Sequence, residues 1–211
     1  MDDDRAAVRA TYERIADHFA ATREYPWPEV ESFCEGRHAH RAVDIGCGNG
    51  RHTALLADHA ERVVGVDVSR RLLDLARERA PEGSFLTGDA SALPLTDDCA
   101  ELAVYVATLH HLPSRKLRRE SLDEMARVLT PDGEALVSAW STAHDAFDAS
   151  ADATEGFDTD VDWTLPGGET VPRFYHIYAP EEFDADIAAS GLEVVDSRIS
   201  SGNCYAVVTP A

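Results

Sequence analysis

The stretch VDIGCGNG, Val43 to Gly50, constrains this chain more than any other. Glycines at alternate positions directly follow an apolar run, which reads as a buried strand turning tightly into a helix. Gly46, Gly48 and Gly50 spell G-x-G-x-G, which is neither the G-x-G-x-x-G of a dinucleotide fold nor the G-x-x-x-x-G-K-[ST] of a nucleotide-hydrolysing loop. Asp44 stands just before the first glycine, where its charge repels a phosphate. The loop suits a ligand without phosphate, preferably a cationic one. A bare turn that binds nothing is the competing reading.

Around this loop, strands and helices alternate. Val8, Tyr12, Ile15 and Phe19 recur at helical spacing, and a Pro-Trp-Pro elbow leads to a short helix bearing Val30 and Phe33. RAVDI reads as strand one, His52 to His59 as a helix, RVVGVD as strand two, Arg70 to Ala80 as a helix, SFLT as strand three and AELAVYV as strand four. A helix from Leu117 to Leu129 is stopped by TPDG, EALVSAW is strand five, and Ala179 to Ser190 is a helix. LEVVDSRI and NCYAVVT are close enough to pair antiparallel. The alternation predicts an α/β fold with a mostly parallel sheet covered on both faces and ligands outside the carboxyl ends of the strands. Residues 1–36 are expected to form a helical cap on a single domain spanning 1–211. Residues 142–172, polar, acidic and rich in Gly and Thr, read as a lid or partly disordered loop anchored by Trp163.

With 211 residues, 44% of them hydrophobic, the chain can build one ordinary core. Its apolar runs fall short of the ~20 residues of a membrane span, and the start MDDDRAAVRA is too acidic for a signal peptide, so a cytoplasmic protein is expected. Cys34, Cys47, Cys99 and Cys204 are scattered and read as small buried residues, while His38 and His40 read as exposed loop histidines, so no metal site is expected. The net charge is -20 and Lys116 is the only lysine. Such a surface resembles those of proteins from salt-loaded cytoplasms, with an acidic mesophilic enzyme as the alternative. It disfavours broad adhesion to nucleic acid, DNA included, but not a localised RNA site built on stacking and hydrogen bonds.

Further acids stand at strand ends. Asp67 closes strand two, where a carboxylate can accept hydrogen bonds from ribose hydroxyls, and GDA follows strand three, so Asp89 can accept from an exocyclic adenine amine while Ala90 offers a backbone amide. With VDIGCGNG, VVGVDVS, GDASALPL and AELAVYVATLHHL in this order, the chain resembles a class I S-adenosylmethionine-dependent methyltransferase from about Val8 to its end. The resemblance implies a Rossmann-like, seven-stranded, mostly parallel sheet with an antiparallel last strand and helices on both faces. It implies that Gly46, Cys47, Gly48 and Gly50 cradle the methionine end of S-adenosylmethionine and that Asp44 favours its positive groups. It further places Asp67 and Val68 at the ribose, Asp89 and Ala90 at the adenine, Val106 at the end of strand four, and Tyr12 closing over the cofactor.

The acceptor is narrowed by what is missing. After strand four there is no [ND]-P-P-[YF] element to grip an amide or an adenine amine, and no Pro-Cys nucleophile. YERIADHFAATREYPWPEVESF resembles the opening of the tRNA wobble-uridine 5-carboxymethyl methyltransferases, which esterify a carboxymethyl group on uridine in tRNA. HHLPSRKLRR, DVDWTLP, RFYHIYAPEEF and GNCYAVV resemble the same family at matching places, although Cys204 replaces an aromatic residue and the segment after strand five is short and acidic. By this resemblance Arg23 and His111 anchor the substrate carboxylate or the cofactor, His110 stands beside them, and Tyr175 and Asn203 form the uridine pocket. Each has a plainer reading: Tyr12 as core, Arg23 as a solvated charge, Asn203 as a hairpin turn. His110 and His111 would point to opposite faces if extended, so at most one is expected to act. The cluster Arg115, Lys116, Arg118 and Arg119 fits a tRNA phosphate or an exposed helix start equally well.

The resemblance also implies a partner, a small zinc-binding activator protein that adds a strand to the sheet edge. Strand three is an edge in the usual order, which points to Ser84 to Thr87. A small-molecule O-methyltransferase and a non-catalytic S-adenosylmethionine-binding adaptor remain as alternatives.

Overall fold

The computed structural model describes residues 2–147 and 153–211. After α1 (Asp2–Ala21) and α2 (Pro28–Cys34), β1 (Ala39–Ile45), α3 (Arg51–Ala57), β2 (Ala60–Asp67), α4 (Arg70–Arg79), β3 (Ser84–Thr87), β4 (Ala100–Val106), α5 (Arg115–Val128) and β5 (Leu129–Trp140) alternate. A ribbon of β6 (Phe157–Thr164) and β7 (Thr170–Ile177) follows, then α6 (Pro180–Ala188), β8 (Leu192–Ser200) and β9 (Asn203–Pro210). Seven strands form one sheet in the order β3-β2-β1-β4-β5-β9-β8. β9 runs antiparallel to both β5 and β8, and the other pairs are parallel. The chain thus winds outward from β1 in one direction and from β4 in the other, opening a crevice where their carboxyl ends diverge.

Both faces of the sheet are covered, which is why its central strands are apolar throughout rather than alternating. Val30, Phe33 and Cys34 of α2 and Leu56 of α3 pack on Val63, Leu102, Val104 and Leu136. Leu122 and Met125 of α5 and Phe183 and Ile187 of α6 pack on Tyr105, Val137 and Ala206 on the opposite face. Helix starts are set locally. Ser69 Oγ accepts from Leu72 N at 3.2 Å and Ser114 Oγ from Leu117 N at 3.3 Å, caps each worth about 1 kcal/mol. Glu13 of α1 accepts from Arg70 N at 2.6 Å, tying the N-terminal cap to the first turn of α4.

Two departures from the sequence reading concern β5 and the segment that follows it. β5 begins at Leu129, directly after α5, and TPDG forms an irregularity in its pairing with β4 rather than a separate stop. The segment after β5, read as a lid or irregular loop, pairs residue for residue from Phe157↔Ile177 to Thr164↔Thr170. Its inward positions Thr159, Val161 and Trp163 alternate with exposed Asp158, Asp160 and Asp162, a period of two masked by aspartates at three successive outward places. Gly167 and Gly168 make the turn at φ +103° and +90°. Trp163 anchors the ribbon against Ile15 and Val171, with Tyr12 and Phe19 packed alongside, and donates from Nε1 to His18 Nδ1 at 3.1 Å.

Candidate active site

A cavity of about 350 Å³ opens at the carboxyl ends of β1, β2 and β4, roofed by α1 and the ribbon. On its cofactor side the backbone does most of the shaping. Gly46 has φ +70°, and a Cβ there would lie 2.2 Å from Thr108 Oγ1 and 2.6 Å from Thr108 Cβ. Only glycine fits beneath that threonine. Thr108 is delivered by Ala107, whose φ of +54° bends the chain sharply at the end of β4 and whose amide is held by Ser138. Asp67 accepts from Gly48 N at 2.9 Å and Ser69 N at 2.8 Å. Each carboxylate oxygen keeps a lone pair for a hydroxyl, so the end of β2 fits a ribose. Burial raises the Asp67 pKa to about 6 against the pull of these amides.

Gly46, Cys47, Gly48, Asp67, Val68 and Val106 line the cavity as the sequence reading expected, with Asp89 and Ala90 at the far end. Asp89 accepts from Ser91 N at 2.9 Å and pairs with Arg5 of α1 at 3.2 Å. Asp44 and Gly50 do not line it. Asp44 lies beneath the loop, 1% exposed and holding Thr53 Oγ1 at 2.7 Å, with its pKa pushed up to about 7 by burial. Gly50 starts α3 at φ +77°, where a Cβ would press on Ala76 at 3.0 Å.

The bank of the cavity under α1 and the ribbon is built from side chains of distant segments. Leu109–His111 is a 3₁₀ turn rather than an extended stretch, so the imidazoles of His110 and His111 converge, their ring centroids 4.4 Å apart, instead of facing opposite ways. His111 Nδ1 faces the Phe174 carbonyl at 3.0 Å and must donate to it, so Nε2 accepts from Tyr12 Oη at 2.7 Å. Trp140 N donates to His110 Nδ1 at 3.0 Å, leaving the His110 proton on Nε2. Enclosure lowers the His111 pKa to about 3 and that of His110 well below the usual value, so both are neutral imidazoles. The Tyr12 and Tyr175 hydroxyls are pushed up, chiefly by burial, and stay protonated. Tyr175 stacks on His110 at 4.8 Å, Arg23 lies near the Phe19 and Trp163 rings, and Asn203 sits at the rim with Nδ2 bonded to Ser201 O. Tyr12, Arg23, His110, His111, Tyr175 and Asn203 all line this one cavity.

The residue sequence reasoning missed is Arg173. It is 7% exposed, donates from Nη1 to Tyr175 Oη at 2.7 Å, lies 4.8 Å from the Trp163 ring centre, and leaves Nε without a partner. No carboxylate pairs with it among the described residues. An arginine inside the alternating run TVPRFYHI was the available signal. The cluster read equally as a tRNA phosphate site or an exposed helix start lies in the first turns of α5. Arg115 and Arg119 both bond buried Asp186, at 2.7 and 2.8 Å, Arg118 is buried beside Glu182, and Lys116 pairs with Glu120 at the surface, so each of these charges has an acidic partner within the chain.

Residues 43–137 match the family described as Methyltransferase domain. The fold aligns over 98% of the chain with the DhpI complex with SAH (TM-score 0.73, 18% identity, 96% of that chain). It aligns over 96% with a chain of the complex between the Haloferax volcanii Trm112 methyltransferase activator and its partner (TM-score 0.71, 16% identity, 97% of that chain). The fold is thus that of class I S-adenosylmethionine-dependent methyltransferases, and the middle of the chain carries a methyltransferase-domain match. More particularly, the chain is related to the tRNA carboxymethyluridine methyltransferases. It is 36% identical over 135 residues to tRNA (carboxymethyluridine(34)-5-O)-methyltransferase ALKBH8 of Mus musculus, covering 64% of this chain and 20% of that protein. To the tRNA (carboxymethyluridine(34)-5-O)-methyltransferase of Saccharomyces cerevisiae it is 31% identical, covering 79% of this chain and 59% of that one. To that of Schizosaccharomyces pombe it is 24% identical, covering 95% and 94%. The chain thus spans 20% of the mouse relative's length and 59% of the budding-yeast relative's. Among the described residues no helix is long and apolar enough to cross a membrane.

Proposed function

We propose that this chain esterifies the carboxymethyl group of wobble uridine in tRNA. The observation that carries the reading is Arg173, a buried guanidinium with no carboxylate partner among the described residues, facing the same cavity as Tyr12, His111 and Tyr175. A buried unpaired charge is costly, and an anionic acceptor offsets it. Nδ1 of His110 and Nε2 of His111 already accept from Trp140 N and Tyr12 Oη, and burial holds both imidazoles' pKa values down, so neither is a ready general base. A carboxylate needs none, because it is already a nucleophile at neutral pH.

S-adenosylmethionine supplies an electrophilic methyl on a sulfonium: a carboxylate oxygen forms the new O–C bond as the C–S bond breaks and its electron pair returns to sulfur. The chain's own part is alignment and exclusion of water. Asp67 and Asp89 would fix the nucleoside end, Asp44 would favour the cationic methionine end, and Gly46 and Gly48 would let the backbone approach it. Arg173, steadied by Tyr175 and by the Trp163 ring, would hold the carboxylate. Tyr12, oriented through His111, would close the lid formed by α1 and the ribbon, with Arg23 and Asn203 at its margin and the His110 Nε2 proton available to the uracil.

A small zinc-binding activator is proposed as partner at β3, supported by the fold's likeness to the chain in the Trm112 complex. Ser84–Thr87 forms one edge of the sheet, with Leu86 38% exposed. The acidic surface is read as that of a cytoplasmic protein at work in concentrated salt, and its thermal midpoint should rise as KCl is raised from roughly 0.1 to 2 M. The decisive cellular test is deletion of the gene followed by mass spectrometry of tRNA nucleosides. Loss of methoxycarbonylmethyluridine with accumulation of the free carboxymethyl form is expected. An unchanged profile in a strain that makes the modification would overturn the reading.

A further inference from the structure

The cavity has two unlike banks. Along the ribbon, β6 turns Asp158, Asp160 and Asp162 to solvent. Along the elbow between α1 and α2, three arginines gather. Arg51 lies over Trp27 with its guanidinium carbon 5.0 Å from the ring centre, Arg79 donates to the carbonyls of Arg23 and Glu24 at 2.8 and 3.1 Å, and Arg23 itself donates only to Thr22 O. None of the three pairs with a carboxylate among the described residues, in a chain whose net charge is -20. Burial, and then repulsion from Arg23, pulls the Arg51 pKa down to about 10 against the opposing pull of buried Asp44.

The elbow is also rigid and carries an exposed ring. Pro26 and Pro28 fix its backbone, and Asn49 Nδ2 holds it at Ala20 O and Arg23 O, at 3.3 and 2.9 Å. Tyr25 is 73% exposed. A fixed, solvent-facing aromatic beside uncompensated guanidiniums combines the two contacts that single-stranded RNA uses, base stacking and a phosphate charge.

We propose that the elbow Tyr25 to Trp27, together with Arg51, is the docking surface for the RNA strand flanking the acceptor nucleotide. Tyr25 stacks a neighbouring base, Arg51 meets the intervening phosphate, and the strand leaves over the elbow, away from the acidic ribbon. The inference rests on the RNA reading above; Glu24, exposed on the same elbow, opposes it.

The test is equilibrium binding of a carboxymethyluridine-containing pentaribonucleotide to the S-adenosylhomocysteine-loaded chain. Tyr25→Ala, which removes no buried contact, is expected to weaken binding about tenfold, the scale of one lost base stack. Arg51→Gln should do the same and reduce the salt slope by about 0.7, the share of one single-strand phosphate contact, with Arg51→Lys restoring the slope. Asp160→Asn on the ribbon should stay within about twofold of wild type. Tyr25→Ala and Arg51→Gln both binding like wild type would overturn the proposal, as would an undiminished Arg51→Gln effect when the flanking phosphates are replaced by neutral methylphosphonates. Replacing carboxymethyluridine by uridine in the same oligonucleotide separates the two readings: if wild-type affinity does not fall, the carboxylate reading fails, while the Tyr25 and Arg51 effects still judge the docking surface.

Discussion

The two halves of the cavity are made in different ways. The cofactor half is mostly backbone, Gly46, Gly48 and the ends of adjacent parallel strands, and its parts follow one another in chain order between Gly46 and Val106. The acceptor half is mostly side chains, and its contacts join residues far apart in sequence: Tyr12 to His111, His18 to Trp163, His111 to the Phe174 carbonyl. A site made of strand ends inherits its geometry from the sheet. A site made by docking α1 and a ribbon over the sheet depends on a small satellite cluster around Trp163, whose burial contributes roughly 2–3 kcal/mol.

The largest effect should come from breaking the first half. Gly46→Ala drives a methyl into Thr108 at a positive φ, and cofactor affinity should fall more than about 100-fold, or the fold should fail, as read by calorimetry and circular dichroism. Next is Arg173→Gln, expected to lower kcat/KM for a carboxymethyl acceptor about 100-fold, as for other lost buried charge contacts, while the Kd for S-adenosylhomocysteine stays within about threefold. An equal loss in both would assign Arg173 to the cofactor instead.

The pH dependence sharpens the contrast further. Asp44 and Asp67 have folded-state values of about 7 and about 6 against an ordinary 3.8. The folded, cofactor-free chain therefore holds extra protons between about pH 4 and 7. This contribution to stability is present at low pH and is lost as pH rises through that window. The proposed roles of Asp67 at the ribose and of Asp44 from beneath the loop both need a charged carboxylate, so S-adenosylmethionine affinity should fall about tenfold from pH 8 to pH 6, and Asp44→Asn should flatten the profile. The neutral acceptor-side histidines should add no inflection in that range. Tyr12→Phe, which removes one hydrogen bond to His111, should lower kcat/KM about fivefold without moving the thermal midpoint by more than a few degrees. Smallest of all, Arg119→Gln should leave tRNA methylation unchanged, because Arg119 serves Asp186 and not the cavity.

The same division explains how far the sequence could be read. The seven-stranded sheet and the edge position of Ser84–Thr87 came from the family resemblance, whereas the strand–helix alternation, the antiparallel pairing of the last two β runs and the acid at the end of β2 follow from local pattern and were legible. The convergence of His110 and His111 was not, because two adjacent residues separate or converge according to whether the backbone is extended or 3₁₀, and Thr108 sets that choice only through its contact with Gly46. Arg173 escaped because its significance lies in what fails to pair with it, a property of the folded surroundings. The ribbon escaped because aspartates at three successive outward positions mimic a disordered composition. Asp44 was legible as an acid near the loop, yet its seat beneath the loop, bonded to Thr53, depends on α3 packing.

The most direct test of the central claim, that the acceptor half is built around a carboxylate, is methyl transfer from labelled S-adenosylmethionine to anticodon stem-loops carrying either carboxymethyluridine or its uncharged carbamoylmethyl analogue, with the activator protein present. The account predicts an alkali-labile methyl ester on the first and no transfer to the second. Equal transfer to both, or none to the carboxylate by a chain that binds cofactor, would contradict it.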